Sequence, residues 1–172
     1  MKKELTRRSF LKLAGVGALA VAMSGSLTGC DVIDNLKDMD SVSAAIGDVK
    51  FMMSASAWVN NGSNGISYQP TCEIRNNSKK AVTYGGSGSG CEVIITGVLT
   101  DKNGKEYPMT YAGENGSAPA GEKYKVKDFK LVAVGKGLYM EGCKVVTTFT
   151  YNKGKKAVFT DYYGGNITSK VE

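Results

Sequence analysis

Residues 66 to 78 read Ile66-Ser67-Tyr68-Gln69-Pro70-Thr71-Cys72-Glu73-Ile74-Arg75-Asn76-Asn77-Ser78. Ile66, Tyr68, Cys72 and Ile74 alternate with Ser67, Gln69, Glu73 and Arg75. Successive side chains of a strand point to opposite faces, so this spacing predicts a strand with one buried face and one wet face. The polar run from Asn76 to Lys80 closes it as a turn. The same pattern extends outward in both directions. Upstream, Val49, Phe51, Met53, Ala55 and Ala57 alternate with Lys50, Met52, Ser54 and Ser56, and Asn61-Gly62 and Asn64-Gly65 are turn signals. Downstream, Cys91, Val93, Ile95 and Leu99 alternate with Glu92, Ile94 and Thr96. Asp101-Lys102-Asn103-Gly104 then reads as a hairpin turn into residues 106 to 111. Ala118-Pro119-Ala120-Gly121 punctuates before a strand over 123 to 134, and residues 143 to 151 and 155 to 162 read as a final hairpin. The glycine-rich stretch 85 to 90 lacks the Gly-Lys-Ser/Thr ending of a phosphate-binding loop and reads as a plain loop. Strands at this spacing, with almost no helical periodicity, predict an all-β fold, an antiparallel β-sandwich over residues 47 to 172.

The order of these signals resembles the immunoglobulin-like, telokin-like domains of bacterial surface lipoproteins. The residues that carry the resemblance are Glu73-Ile74-Arg75-Asn76-Asn77-Ser78, Leu99-Thr100-Asp101-Lys102-Asn103-Gly104-Lys105 and Ala118-Pro119-Ala120-Gly121-Glu122. The resemblance covers roughly residues 47 to 162 and implies binding or scaffolding rather than catalysis. It transfers no site residues, because no motif here corresponds to one.

Two strings near the amino terminus bear on location. Thr6-Arg7-Arg8-Ser9-Phe10-Leu11-Lys12 resembles a twin-arginine (Tat) export signal, and Leu27-Thr28-Gly29-Cys30 looks like a lipobox. The apolar run 13 to 23 between them falls short of the roughly 20 residues a transmembrane helix needs. Residues 1 to 29 are therefore expected to be a signal peptide recognised through Arg7, Arg8, Phe10, Leu11 and Lys12 by the Tat machinery. Residues 30 to 46 are expected to be a tether lipidated at Cys30, with Asp31, Asp34, Asp38 and Asp40 making it a solvated spacer. This places the domain on the outer face of a bacterial cytoplasmic membrane.

Charge follows the same division. The leader holds five Lys/Arg against one acidic residue, which is +4 of the whole chain's +6. The remainder is close to neutral, and a nucleic-acid partner loses its electrostatic basis. The chain has no histidine. That excludes Ser-His-Asp and Cys-His catalysis and any His-ligated metal, and no cofactor motif is present. Carboxylate-only or thiol-only chemistry survives these exclusions, and the chain is read as non-enzymatic because Glu73, Glu92 and Glu141 read as solvated strand charge and no catalytic constellation is recognisable.

Beyond Cys30 the chain carries Cys72, Cys91 and Cys143. An oxidising location permits a disulfide. Alternation points Cys72 and Cys143 into the sandwich and favours these two as the pair, with Cys91 left free beside the glycine-rich loop, although that loop could equally carry Cys91 to another cysteine. Cys and Met are also soft-metal ligands, which keeps a thiol-redox or Cu(I)-binding protein as the alternative function. Against it, no Cys-x-x-Cys exists, and Met52 and Met53, adjacent in a strand, point to opposite faces. Lys123, Lys125 and Lys127 alternate along one strand face, a basic row suited to an anionic wall polymer. Tyr162 and Tyr163, before Gly164-Gly165, are the expected exposed aromatic pair. The expected function is a surface-anchored, non-catalytic binding or accessory module for a protein, peptide or cell-wall component.

Overall fold

The computed structural model describes residues 41–172. The leader, Cys30 and the first part of the spacer lie outside these residues. No helix among the described residues is long and apolar enough to cross a membrane. The described chain is built from strands: β1 (Val42–Ile46), β2 (Val49–Asn60), β3 (Ile66–Asn76), β4 (Val82–Gly86), β5 (Val93–Thr100), β6 (Glu106–Tyr111), β7 (Gly116–Ala118), β8 (Lys123–Lys125), β9 (Leu131–Ala133), β10 (Lys144–Tyr151), β11 (Lys156–Tyr162) and β12 (Ile167–Val171). The all-β expectation holds. The sandwich is one hydrogen-bonded sheet in the order β1-β2-β3-β9-β6-β5-β10-β11-β12, folded so that its two walls face each other. The outermost strands meet, and the Ser169 hydroxyl of β12 donates to the Ser43 carbonyl of β1 at 2.9 Å. Each terminal edge is thus covered by the other, which removes an aggregation-prone template.

Several boundaries differ from the sequence expectation. Residues 42 to 46, assigned to the tether, form β1, because Ala44 and Ile46 alternate into the core. The strand expected over 123 to 134 is two short strands, β8 and β9, with residues 126 to 130 between them. Tyr162 does not end the sheet, since β12 follows it. The glycine-rich stretch is only partly a loop: Gly85 and Gly86 belong to β4, which runs parallel to β5. Parallel neighbours ordinarily need a long crossover. Here residues 87 to 92 double back within one loop, and Gly88 and Gly90 supply the positive φ angles, 81° and 72°, that the reversal needs.

Local chemistry explains the main registers. Between Ser54 and Ser56 the pairing of β2 with β3 slips by one residue. A bulge of this kind flips the facing of everything beyond it. Phe51 and Met53 are buried before the slip, and Trp58 packs against buried Tyr68 after it, while Ala57 is exposed. At the far end of β3, buried Asn76 is fully used. Its amide nitrogen donates to the carbonyls of Lys80 (2.8 Å) and Ala118 (2.9 Å), and its Oδ1 accepts from the Ser78 backbone (3.0 Å) and hydroxyl (2.6 Å). β4 is stitched to the start of β5 by Glu92. Thr83 N–H donates to its Oε2 (3.1 Å), its own N–H donates to Thr83 Oγ1 (3.0 Å), and Lys80 Nζ lies 3.2 Å from Oε1.

The two walls meet on phenylalanine. Phe149 of β10 stacks on Phe51 of β2 (4.8 Å between ring centres), meets Phe159 of β11 edge-on (5.6 Å) and contacts Phe129 of the β8–β9 connection (6.1 Å). Phe149→Ala removes all three contacts and leaves a cavity, so it should lower unfolding stability by about 3–5 kcal/mol in a urea titration. Glu92 gives a pH-dependent counterpart. The Thr83 backbone N–H, opposed by partial desolvation and aided by Lys80, holds its carboxyl below the usual range. A lowered folded-state value means stability that is present at neutral pH and lost as the pH falls through that value. Glu92→Gln should therefore destabilise by up to about 1 kcal/mol at pH 7, and the difference should vanish in denaturation curves taken below the carboxylate range.

Candidate functional site

One side of β3 is only partly covered. β9 pairs with residues 66 to 68 and β8 with residues 73 to 75. Between them the chain leaves the sheet, tied back by a hydrogen bond from the Val126 N–H to the Cys72 carbonyl at 2.9 Å. Pro70 sits in this gap, where a residue without an N–H costs no ladder bond on that side. The result is a groove of about 540 Å³ lined by Gln69, Pro70, Thr71, Lys125, Val126, Lys127, Asp128 and Phe129. Pro70, Val126 and Phe129 are buried and form an apolar floor, whereas Gln69, Lys125, Lys127 and Asp128 are exposed. Asp128 turns the loop with φ at 49°, a conformation that a short polar side chain tolerates.

The basic row predicted from sequence divides across this groove. Lys123, Lys125 and Lys127 are all exposed, as their alternation requires. Lys123 is paired with Glu73 across the β3–β8 ladder at 2.8 Å. Lys125 and Lys127 flank the groove, and neither has a carboxylate at ion-pair distance among the described residues. Two ammonium groups outside any ion pair, with the Asp128 carboxylate on the same rim, lie beside an apolar floor and the amide of Gln69 and can hold a carboxylate or phosphate while its backbone lies along Pro70.

The tyrosine pair lies elsewhere. Tyr162 and Tyr163 are exposed at the β11–β12 turn, and Tyr163 packs edge-on against Trp58 at 5.5 Å. The Trp58 indole N–H donates to Ser56 Oγ at 3.2 Å, and the Ser56 hydroxyl donates to Oδ2 of buried Asp161. The sequence reading missed this relay, because the bulge that turns Ser56 and Trp58 inward leaves no mark on composition.

The expected Cys72–Cys143 disulfide is not formed; Cys72, Cys91 and Cys143 are free thiols. Both expected partners are buried, but at different levels of the sheet. Cys72 is opposite Met53 in the middle of β3. Cys143 precedes β10 at one end, donating its thiol to the Tyr139 carbonyl at 2.9 Å. Alternation gave the correct facing and could not give the level along the strand. Desolvation pushes the Cys72 thiol far up, with the Glu73 carboxylate adding to it. Burial also raises Cys143, and Asp101 adds to that shift. Thiols held protonated are poor nucleophiles and poor ligands. Met53 is buried and Met52 faces the other side. No group of three His, Cys, Asp or Glu side chains positioned to hold a metal occurs among the described residues.

Comparison with protein-family models, with curated proteins and with solved structures finds no match to this chain. In a Cys30→Ser form, Cys91 should react with a thiol reagent in the native state, while Cys72 and Cys143 should react only after denaturant is added. Native labelling of all three at one rate would contradict the burial described above.

Proposed function

We propose that this chain is a lipid-anchored, extracytoplasmic binding module, exported by the Tat route, that holds an anionic segment of a peptide or wall polymer without catalysing a reaction. The immunoglobulin-like affiliation belongs to the same proposal. The observation that carries it is the stretch from Gln69 to Thr71, uncovered between β8 and β9 and flanked by the unpaired Lys125 and Lys127. The floor of Pro70, Val126 and Phe129 gives an extended chain an apolar bed, and the two ammonium groups select for negative charge. Burial of Cys72 and Cys143, which leaves Cys91 as the one accessible thiol among the described residues, favours this reading over thiol-redox or Cu(I) chemistry.

Calorimetric titration of poly-L-glutamate and of inorganic polyphosphate into the full-length protein tests it. Replacing Lys125 and Lys127 together with Gln should weaken binding about tenfold and flatten its salt dependence. Because Glu73 lies opposite Lys125, the control replaces both members of the neutral pair, Lys123→Gln with Glu73→Gln, and should change binding little. Equal affinity in the wild type and the Lys125/Lys127 variant would sink the proposal.

A further inference from the structure

At one end of the sheet, large apolar and aromatic side chains stand exposed among the polar turn residues. Val134 (77% exposed), Tyr139 (73%), Tyr162 (50%), Tyr163 (42%) and Val59 (41%) are, with Val171, the large apolar or aromatic side chains most open to solvent among the described residues. All but Val171 gather at the same end. Val59 and Asn60 close β2 opposite Ser67 and Ile66 of β3, and Ile66 pairs with Ala133, the residue before Val134. The Asn60 side chain donates to the Leu138 carbonyl at 3.1 Å, which brings Tyr139 alongside. Tyr163 donates its N–H to the Cys143 carbonyl at 2.9 Å and packs on Trp58. Three segments, the end of β2, the β9–β10 connection and the β11–β12 turn, thus bring these side chains to one end of the sheet. The exposed Lys136 lies between Val134 and Tyr139, and exposed Lys102 packs beside Gly142.

At this end ring tips and short apolar side chains stand among lysines and the exposed carboxylates of Glu106 and Glu141, a mixture compatible with a membrane interface. The direction of the chain agrees. β1 starts at Val42, level with Met53, and runs to Ile46, level with Val49. It therefore heads away from Val59 and Asn60, and its first residue is the one nearest the aromatic end. From Cys30 to Ser41 the spacer can span at most about 40 Å. That is roughly the length of β2 alone, which has 12 residues. A lipid at Cys30 keeps the domain within about its own length of the bilayer.

We propose that this end of the sheet rests in the headgroup region of the phospholipid bilayer that carries the anchor, with Val134, Tyr139 and Tyr162 as its contacts. The inference rests on the lipid-anchor reading above. Docking in this way leaves the Gln69–Thr71 groove on the side wall, open to a ligand.

Trp58 makes the test direct, because it is the only tryptophan in the chain and lies against Tyr163 at this end. The full-length protein is produced in a bacterium that processes lipoproteins and is reconstituted into phosphatidylethanolamine/phosphatidylglycerol vesicles. These carry a nitroxide quencher either at the headgroup or at the acyl-chain terminus. Headgroup nitroxide should quench Trp58 emission at least twofold more than terminal nitroxide. Val134→Ser, Tyr139→Ser and Tyr162→Ser combined, which leave Tyr163 on Trp58, should abolish that difference while far-ultraviolet circular dichroism stays unchanged. Mass spectrometry of the Cys30 peptide reports the anchor separately. A lipidated protein whose Trp58 is unquenched overturns the docking alone and leaves this end to a protein partner. A Cys30 without lipid overturns the anchor, and the docking with it.

Discussion

The contact between Phe149 and Phe51 is the constraint on which the architecture depends. β2 and β10 are far apart along the sheet order, and no ladder hydrogen bond joins them. Their stacked rings, extended by Phe159 and Phe129, are where the two walls of one folded sheet become a single core. Hydrogen bonds fix each strand to its neighbour but do not decide how far the sheet bends. That is decided by the apolar area the aromatic cluster removes from water. Phe129 also ties the β8–β9 connection to this core, so the groove wall is held by the same rings that hold the fold.

The alternation in residues 66 to 76 was enough to place β3 and its facing, because one face is wholly buried and a slipped register would put Ile74 and Cys72 in water. The same rule placed β5 and β10. It failed wherever facing is set by a partner rather than by the strand itself. Glycines hid β4, whose ladder partners are read from the backbone. The bulge at Ser54/Ser56 reversed the phase of β2 just before Trp58. β7 is only three residues long, too short for any period to register. The candidate site shows the same division. Exposure of Lys123, Lys125 and Lys127 was legible in the sequence. That Glu73 neutralises the first of them and leaves the other two across a gap in the sheet depends on register, which no local pattern encodes.

The two ends and the side wall of the molecule differ in character. The end bearing Asn76 is organised by saturated hydrogen bonding, with a buried amide satisfied on all sides. The opposite end is organised by aromatic packing around Trp58, supported by the Ser56–Asp161 pair. The side wall carries the lysine-flanked groove. A polar cap, an aromatic cap and a charged flank thus occupy separate parts of one small domain.

The free thiols bear on how such a domain is made. Small exported domains commonly need oxidation to become stable. The domain described here closes its sheet through the Ser169–Ser43 contact and its core through stacked phenylalanines, and no disulfide occurs among the described residues. Its native state is accessible in a reducing compartment without an oxidase or an isomerase.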